Sequence, residues 1–407
     1  MNFSTTCLFA FAPLFGADAL PRFAAFLALA PFLYVAFLFG SRRLVGDVFK
    51  NDSPAQSPKR LVPWSVGAAF GVFVCGAILF PLLAVNAISF LPKSCFPDFA
   101  SVPAAVATDE LADPADVAPE NAETDEENLA TQHPLARLLI RSRSTPWAFE
   151  TFLLCFFVAV IAAPFAEEFL FRVLLQGTFE NYALQAVLPP PGTPRRLFAD
   201  AESTAPSDDA PENALAVPLS PTEFRWTDPT TPMERRALYL RSAFAILVPA
   251  FIFGLIHAGA PETPEEARDP ETLNRLFRTM FAAGLANVAT LALGLLFLRR
   301  STGATTGDVG LGPEFTYKAG RCFSSLRRFA LDFYRGIAVF AFIAPVVFGA
   351  NAALRSLFPN AIVDPLPIFL FALAEGVVYW RIRRYATVVG MHVALNATSF
   401  LLLCVRL

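Results

Sequence analysis

Apolar residues in this chain fall into blocks of about 20, the length that carries a helix across a hydrocarbon core roughly 30 Å thick. Eight blocks can be drawn, at 22–40, 64–92, 147–176, 237–260, 279–298, 334–356, 365–380 and 386–405. The 365–380 block is the shortest and carries Glu375. The apolar residues of 8–20 are interrupted by Pro13 and Asp18 and end at Pro21, so that segment reads as interfacial. The pattern predicts an all-α fold, a multi-pass transmembrane helical bundle of about eight helices.

Two long polar stretches interrupt the pattern. Residues 93–146 include the acidic run DELADPADVAPENAETDEEN, and 189–235 include PPPGTPRR and APSDDAPEN. Neither composition can bury enough apolar surface to offset the entropy of ordering, so both are read as disordered loops. The chain then divides into N-terminal membrane helices (1–92), an acidic disordered loop (93–146) and a C-terminal membrane domain (147–407) with a Pro-rich insertion at 189–235.

The loops alternate in charge. Arg42, Arg43, Lys50, Lys59 and Arg60 lie in 41–63; Arg195, Arg196, Arg225, Arg235 and Arg236 lie in 189–236. A third basic loop, 299–333, holds Arg299, Arg300, Lys318, Arg321, Arg327 and Arg328, and the 381–384 turn holds Arg381, Arg383 and Arg384. Between them come the acidic 93–146 loop and a 261–276 loop with Glu262, Glu265, Glu266 and Asp269. Lys and Arg mark cytoplasmic loops, which would put both termini outside.

Composition agrees with a membrane-embedded chain: 55% of residues are apolar and 16% are charged, where soluble domains carry about 25% charge. A net charge of −3 without a basic stripe argues against a nucleic-acid partner. The six cysteines, Cys7, Cys75, Cys95, Cys155, Cys322 and Cys404, form no CxxC or zinc-ribbon spacing, and most sit inert in apolar runs. The N-terminus lacks the basic region of a signal peptide.

Against this background the ionisable residues inside apolar blocks need a reason, because each costs about 2.5–3.5 kcal/mol on insertion scales. Three groups stand out. In Glu167-Glu168-Phe169-Leu170-Phe171-Arg172, Glu168 and Arg172 stand at i and i+4 with the acid leading, the favourable order for an ion pair. Glu167 lies about 100° around the helix, with no local cation, and is the candidate general base. The plainer alternative is an interfacial acidic pair at a helix end. The second group is Phe253-Gly254-Leu255-Ile256-His257; a lone His there also fits a hydrogen-bonded packing role. The third, His392-Val393-Ala394-Leu395-Asn396, places both polar side chains on one face, where Asn396 orients the imidazole, donates to an oxyanion, or serves as interhelical glue. His133 falls in the acidic loop and is assigned nothing. Glu375 is read as a structural ion pair with Arg381, Arg383 or Arg384.

EExxxR, FxxxH and HxxxN, in that order and each in a separate membrane block, resemble the CPBP family, also called type II CAAX prenyl endopeptidases or Abi proteins. The surrounding text AAPFAEEFLFRVLLQG, AFIFGLIHAG and GMHVALNATSF is similar to family sequence, and the resemblance covers about 150–407. It implies a CAAX-protease-like membrane domain in which Glu167 activates water and His257, His392 and Asn396 complete the catalytic site. Glu168, Arg172 and Phe253 would support it. The implied reaction is endopeptidase hydrolysis of a membrane-anchored peptide or protein, CAAX-like in form, in the lipid bilayer of a cell membrane. Glu167, His257 and His392 could also hold Zn²⁺ with an open position, although HExxH is absent and the ligands would converge from three helices.

Two other classes stay open: a non-enzymatic membrane scaffold or bacteriocin-immunity-type protein that keeps the polar residues for packing, and a transporter with a proton relay. Convergence of Glu167, His257, His392 and Asn396 is what an enzyme requires. Simple alternation of spans sets Glu167 and His257 at opposite depths, so a helix break at Pro164 is expected.

Overall fold

The computed structural model describes residues 19–49, 62–92, 95–97, 135, 138–139, 142, 145–185, 232–257, 270–304, 319–357 and 365–406. Residues 8–18 of the interfacial segment, Cys7, His133, the acidic run and nearly all of the Pro-rich insertion lie outside these residues, while Ala19 and Leu20 open the first helix.

Among the described residues there are eight helices of 18 residues or more and no strand. Helix α1 is Ala19–Phe49, α2 is Val66–Ser89, and α3 starts at Ala148 and runs unbroken to Gln185. Then come α4 (Pro232–Ile256), α5 (Pro270–Thr302), α6 (Ala319–Leu357), α7 (Pro365–Ile382) and α8 (Tyr385–Arg406). Over their described residues, six of the eight (α2, α3, α4, α5, α6 and α8) are long and apolar enough to cross a membrane. The protein is an all-α, multi-pass integral membrane protein.

Most helices outrun the apolar blocks that announced them. The 41–63 loop loses 41–49 to α1, the 189–235 insertion loses 232–235 to α4, and the basic 299–333 loop gives its two ends to α5 and α6. Hydropathy registers only the stretch that lies in lipid, whereas backbone hydrogen bonding carries a helix on into its polar ends. Arg299 and Arg300 in the last turn of α5 also complement the negative end of its dipole.

Helix α3 is the hub and packs on α2, α4, α5, α7 and α8. Every residue from Phe169 to Leu174 is buried. Outward-facing side chains such as Phe70, Leu82, Phe251, Val346 and Leu401 are exposed and apolar, the surface that lipid covers. Helix α8 crosses α6 at backbone distance: a Cβ added to Gly336 would collide with the Thr387 carbonyl, and one added to Gly390 with that of Phe333. Small residues permit this approach, which stands in for the hydrophobic force that lipid removes.

The α7–α8 connection is only two residues long. Arg383 adopts φ 49°, a left-handed conformation uncommon outside glycine, and is held there by an ion pair to Glu180 on α3 and by the Tyr379 ring. Tyr385 at the start of α8 donates to the Phe165 carbonyl of α3. Trp64 Nε1 donates to Thr178 Oγ1 at 3.1 Å and ties the entry of α2 to the same helix.

Candidate active site

The expected break at Pro164 does not occur: α3 continues through it. Two stretches of wider, π-type turn flank the residue instead, Phe157–Ala162 and Phe169–Gln176. In the first, the Ala163 N–H bonds the Val158 carbonyl five residues back. The next carbonyl, that of Ala159, would take the N–H of residue 164, and proline has none. Asn396 Nδ2 supplies the missing donor at 2.7 Å. The prolyl ring thus leaves an orphan acceptor on α3, and a side chain from α8 satisfies it. Asn396 is drawn to backbone rather than to the histidines, which corrects the expectation that it joins them directly.

The second π-type stretch explains how a polar ladder forms. Glu168, Arg172, Gln176 and Glu180 recur every four residues, and all four are buried. In a straight α-helix a four-residue repeat drifts around the axis; the wider turn offsets that drift and keeps the four on one side. Gln176 Nε2 donates to Glu180 Oε1 and to the Gly376 carbonyl, both at 2.8 Å, so the ladder also grips α7.

Arg172 is the centre of the closed part of the site. Its Nε lies 3.2 Å from Glu168 Oε2, which gives the i, i+4 pair read from sequence. Its Nη2 donates to the Ala372 carbonyl at 2.8 Å and lies 3.4 Å from Glu375 Oε2. The salt-bridge partner of Glu375 is therefore Arg172, not the arginines of the 381–384 turn. Helix α7 runs past α3 and delivers residue 375 to the ladder, a proximity that sequence distance conceals.

Glu168 has a second partner. His392 Nδ1 lies 2.9 Å from Glu168 Oε1. With Arg172 on its other oxygen, Glu168 is an ionised acceptor, so Nδ1 carries the proton and donates it. In the neutral imidazole this leaves Nε2 as a lone pair. His257 reaches the same state by another route. It stands just past the end of α4, where carbonyls lack helical partners, and its Nδ1 donates to the Phe253 carbonyl at 2.8 Å. Its Nε2 is likewise left bare.

Both bare nitrogens face one oxygen. Glu167 Oε2 lies 3.6 Å from His392 Nε2 and 3.9 Å from His257 Nε2. Three acceptors from α3, α4 and α8 thus converge, with a proton, a water or a cation the natural thing to lie among them. The aromatic wall is Phe253, whose ring centroid is 4.4 Å from that of His257 and 5.6 Å from that of His392, together with Phe371 at 5.9 Å from His392. Exposure falls from 32% at the His257 side chain to 23% at Glu167, 4% at His392 and 0% at Glu168, so the site opens on one side only.

Two sets of residues have the composition of a metal site. Glu168, Glu375 and His392 offer ligand atoms all within 4.8 Å of one another. The Arg172 guanidinium already bonds both carboxylates, and its fixed positive charge would repel a cation there. The set expected from sequence, Glu167, His257 and His392, suits zinc better in its chemistry. Both imidazoles present Nε2, and each holds its Nδ1–H on a carboxylate or carbonyl, as histidine ligands do. Glu167 Oε2 lies 3.6 and 3.9 Å from the two Nε2 atoms, wider than the roughly 3.3 Å between ligands on a tetrahedral zinc with 2.0–2.1 Å bonds. The three ligand atoms do not all lie within 4.8 Å of one another, so the set does not close around a zinc as it stands.

The site defines a class, that of membrane proteins with an intramembrane carboxylate–imidazole centre. For the particular protein, comparison with family models, curated proteins and solved structures gives no match.

Proposed function

We propose that this protein is an intramembrane endopeptidase of the CPBP type, acting on membrane-anchored peptides or proteins with CAAX-like termini. The observation that supports the reading is the meeting of Glu167, His257 and His392. They lie far apart in sequence on three helices, yet both imidazoles turn Nε2 toward one carboxylate oxygen. A carboxylate flanked by imidazole nitrogens from two other helices is an arrangement that can take up and pass on a proton.

In the reaction, a water donates one hydrogen to Glu167 and the other to an imidazole Nε2. Glu167 takes the proton as the water oxygen attacks the scissile carbonyl. The water's second hydrogen stays on the attacking oxygen and remains held by the imidazole Nε2 in the tetrahedral intermediate. Return of the proton from Glu167 to the leaving nitrogen breaks the C–N bond and releases an amine and a carboxylic acid, whose hydroxyl proton passes to the waiting imidazole Nε2 and on to solvent. Glu168 keeps His392 in the working tautomer throughout, the role an acid plays behind the histidine of a hydrolase triad. Zn²⁺, if held by Glu167, His257 and His392, would supply Lewis-acid polarisation of the water and carbonyl.

The second reading is a non-enzymatic scaffold or immunity-type protein. It is favoured by the complete enclosure of Glu168, Arg172 and Glu375 and by the backbone-directed bond of Asn396. The test is cleavage of a farnesylated fluorogenic CAAX peptide in liposomes by the purified full-length protein. Wild type should cleave it and Glu167→Gln should not. A folded wild type inert toward this peptide and toward a panel of unprenylated bilayer-anchored peptides would leave the scaffold.

A further inference from the structure

Glu375 is fully buried on α7, in a helix that is otherwise apolar over its buried face. One guanidinium there serves two carboxylates, Glu168 and Glu375. Arg172 alone would neutralise Glu168, and an apolar side chain at 375 would pack at least as well, since hydrophobic replacements of buried ions are often neutral or stabilising. Glu375 Oε1 is moreover buried without a hydrogen-bond partner. Packing therefore gives no account of this second acid.

The contacts do. Glu375 Oε2 and the Ala372 carbonyl fix Nη2 of Arg172. The guanidinium is a rigid plane, so fixing Nη2 also aims Nε at Glu168 Oε2, 3.2 Å away. Glu168 Oε1 then receives the Nδ1–H of His392. We infer that Glu375 is a positioning residue for His392, acting through Arg172 and Glu168 to hold the imidazole in the tautomer that turns Nε2 toward Glu167. Its consequence for catalysis rests on the endopeptidase reading; its consequence for the tautomer does not.

The chain has three histidines, so ring ¹⁵N labelling of the full-length protein in liposomes gives a spectrum that can be read residue by residue. His133→Asn and His257→Gln provide the assignments. Wild type should show His392 protonated at Nδ1 and bare at Nε2. Glu375→Gln, of the same shape without the acid, should show a mixture of tautomers. With the farnesylated CAAX peptide its kcat should fall about 10- to 100-fold at unchanged KM, the usual effect of removing a partner behind a working histidine. Glu375→Asp keeps the carboxyl group one methylene short of Arg172 and should lie between, and it is read alone if the Gln variant does not fold. A single wild-type tautomer with wild-type kcat in either folded variant overturns the inference. A wild type that cleaves nothing sinks the endopeptidase reading, and the tautomer spectrum by itself then decides the role of Glu375.

Discussion

Glu167 and Glu168 are neighbours in the chain and on one helix, yet their surroundings share almost nothing. Glu168 is fully enclosed, with both oxygens occupied, one by Arg172 and the other by His392. Glu167 is partly open and faces two imidazole Nε2 atoms beyond direct hydrogen-bond distance. About 100° of helical rotation separates them. That rotation decides whether a carboxylate meets the inward ladder of α3 or the edge of the bundle. One side of the helix is closed and compensated; the other is left unsatisfied, as a site awaiting a reactant would be.

The largest expected effect breaks the comparison on its open side. Glu167→Gln should lower cleavage by about 10²- to 10⁴-fold, the span of general acid–base catalysis, with no loss of thermal midpoint in detergent. An amide cannot take the proton from water, and nothing in the fold leans on that carboxylate. Normal turnover in this variant would remove Glu167 from the chemistry.

On the closed side the effect should appear in stability. Arg172→Met leaves two buried carboxylates facing one another and should destabilise by about 3–5 kcal/mol. Adding Glu168→Gln should recover part of that loss, because the two changes remove interacting charges. Additive losses in unfolding measurements would mean that the pair is not coupled, despite the 3.2 Å geometry.

The smallest effect sharpens the comparison at Asn396. If its work is to satisfy the Ala159 carbonyl that Pro164 leaves bare, Asn396→Ala should cost about 1 kcal/mol. In a Pro164→Ala background, where the N–H is restored, it should cost measurably less. A double-mutant cycle on thermal stability reads this directly. A cleavage loss of 100-fold or more with the cycle showing no coupling would instead place Asn396 at the oxyanion.

Much of this was legible before any fold was known. Apolar blocks announced all eight helices, because lipid rewards uninterrupted apolar length and tolerates no unpaired backbone. The i, i+4 spacing of Glu168 and Arg172 announced their ion pair, because helix geometry alone brings such residues together. The four-residue recurrence of Glu168, Arg172, Gln176 and Glu180 was equally open to view, and it points to a ladder that sequence reading passed over. Pro164 announced an orphan carbonyl without saying who would satisfy it.

What lay beyond the sequence was every contact between helices. Glu375 sits close in sequence to Arg381, Arg383 and Arg384, and local reasoning paired it with them; the packing of α7 on α3 gave it Arg172 instead. Alternation of spans set Glu167 and His257 at different depths, and only the meeting of α3 with the end of α4 brought them within 3.9 Å. Local chemistry follows from bonds along one helix, which a sequence records. The partners of a side chain across a bundle depend on crossing angle, depth and rotation, and these emerge only when the backbones of α6 and α8 close on Gly336 and Gly390 and fix where His392 points.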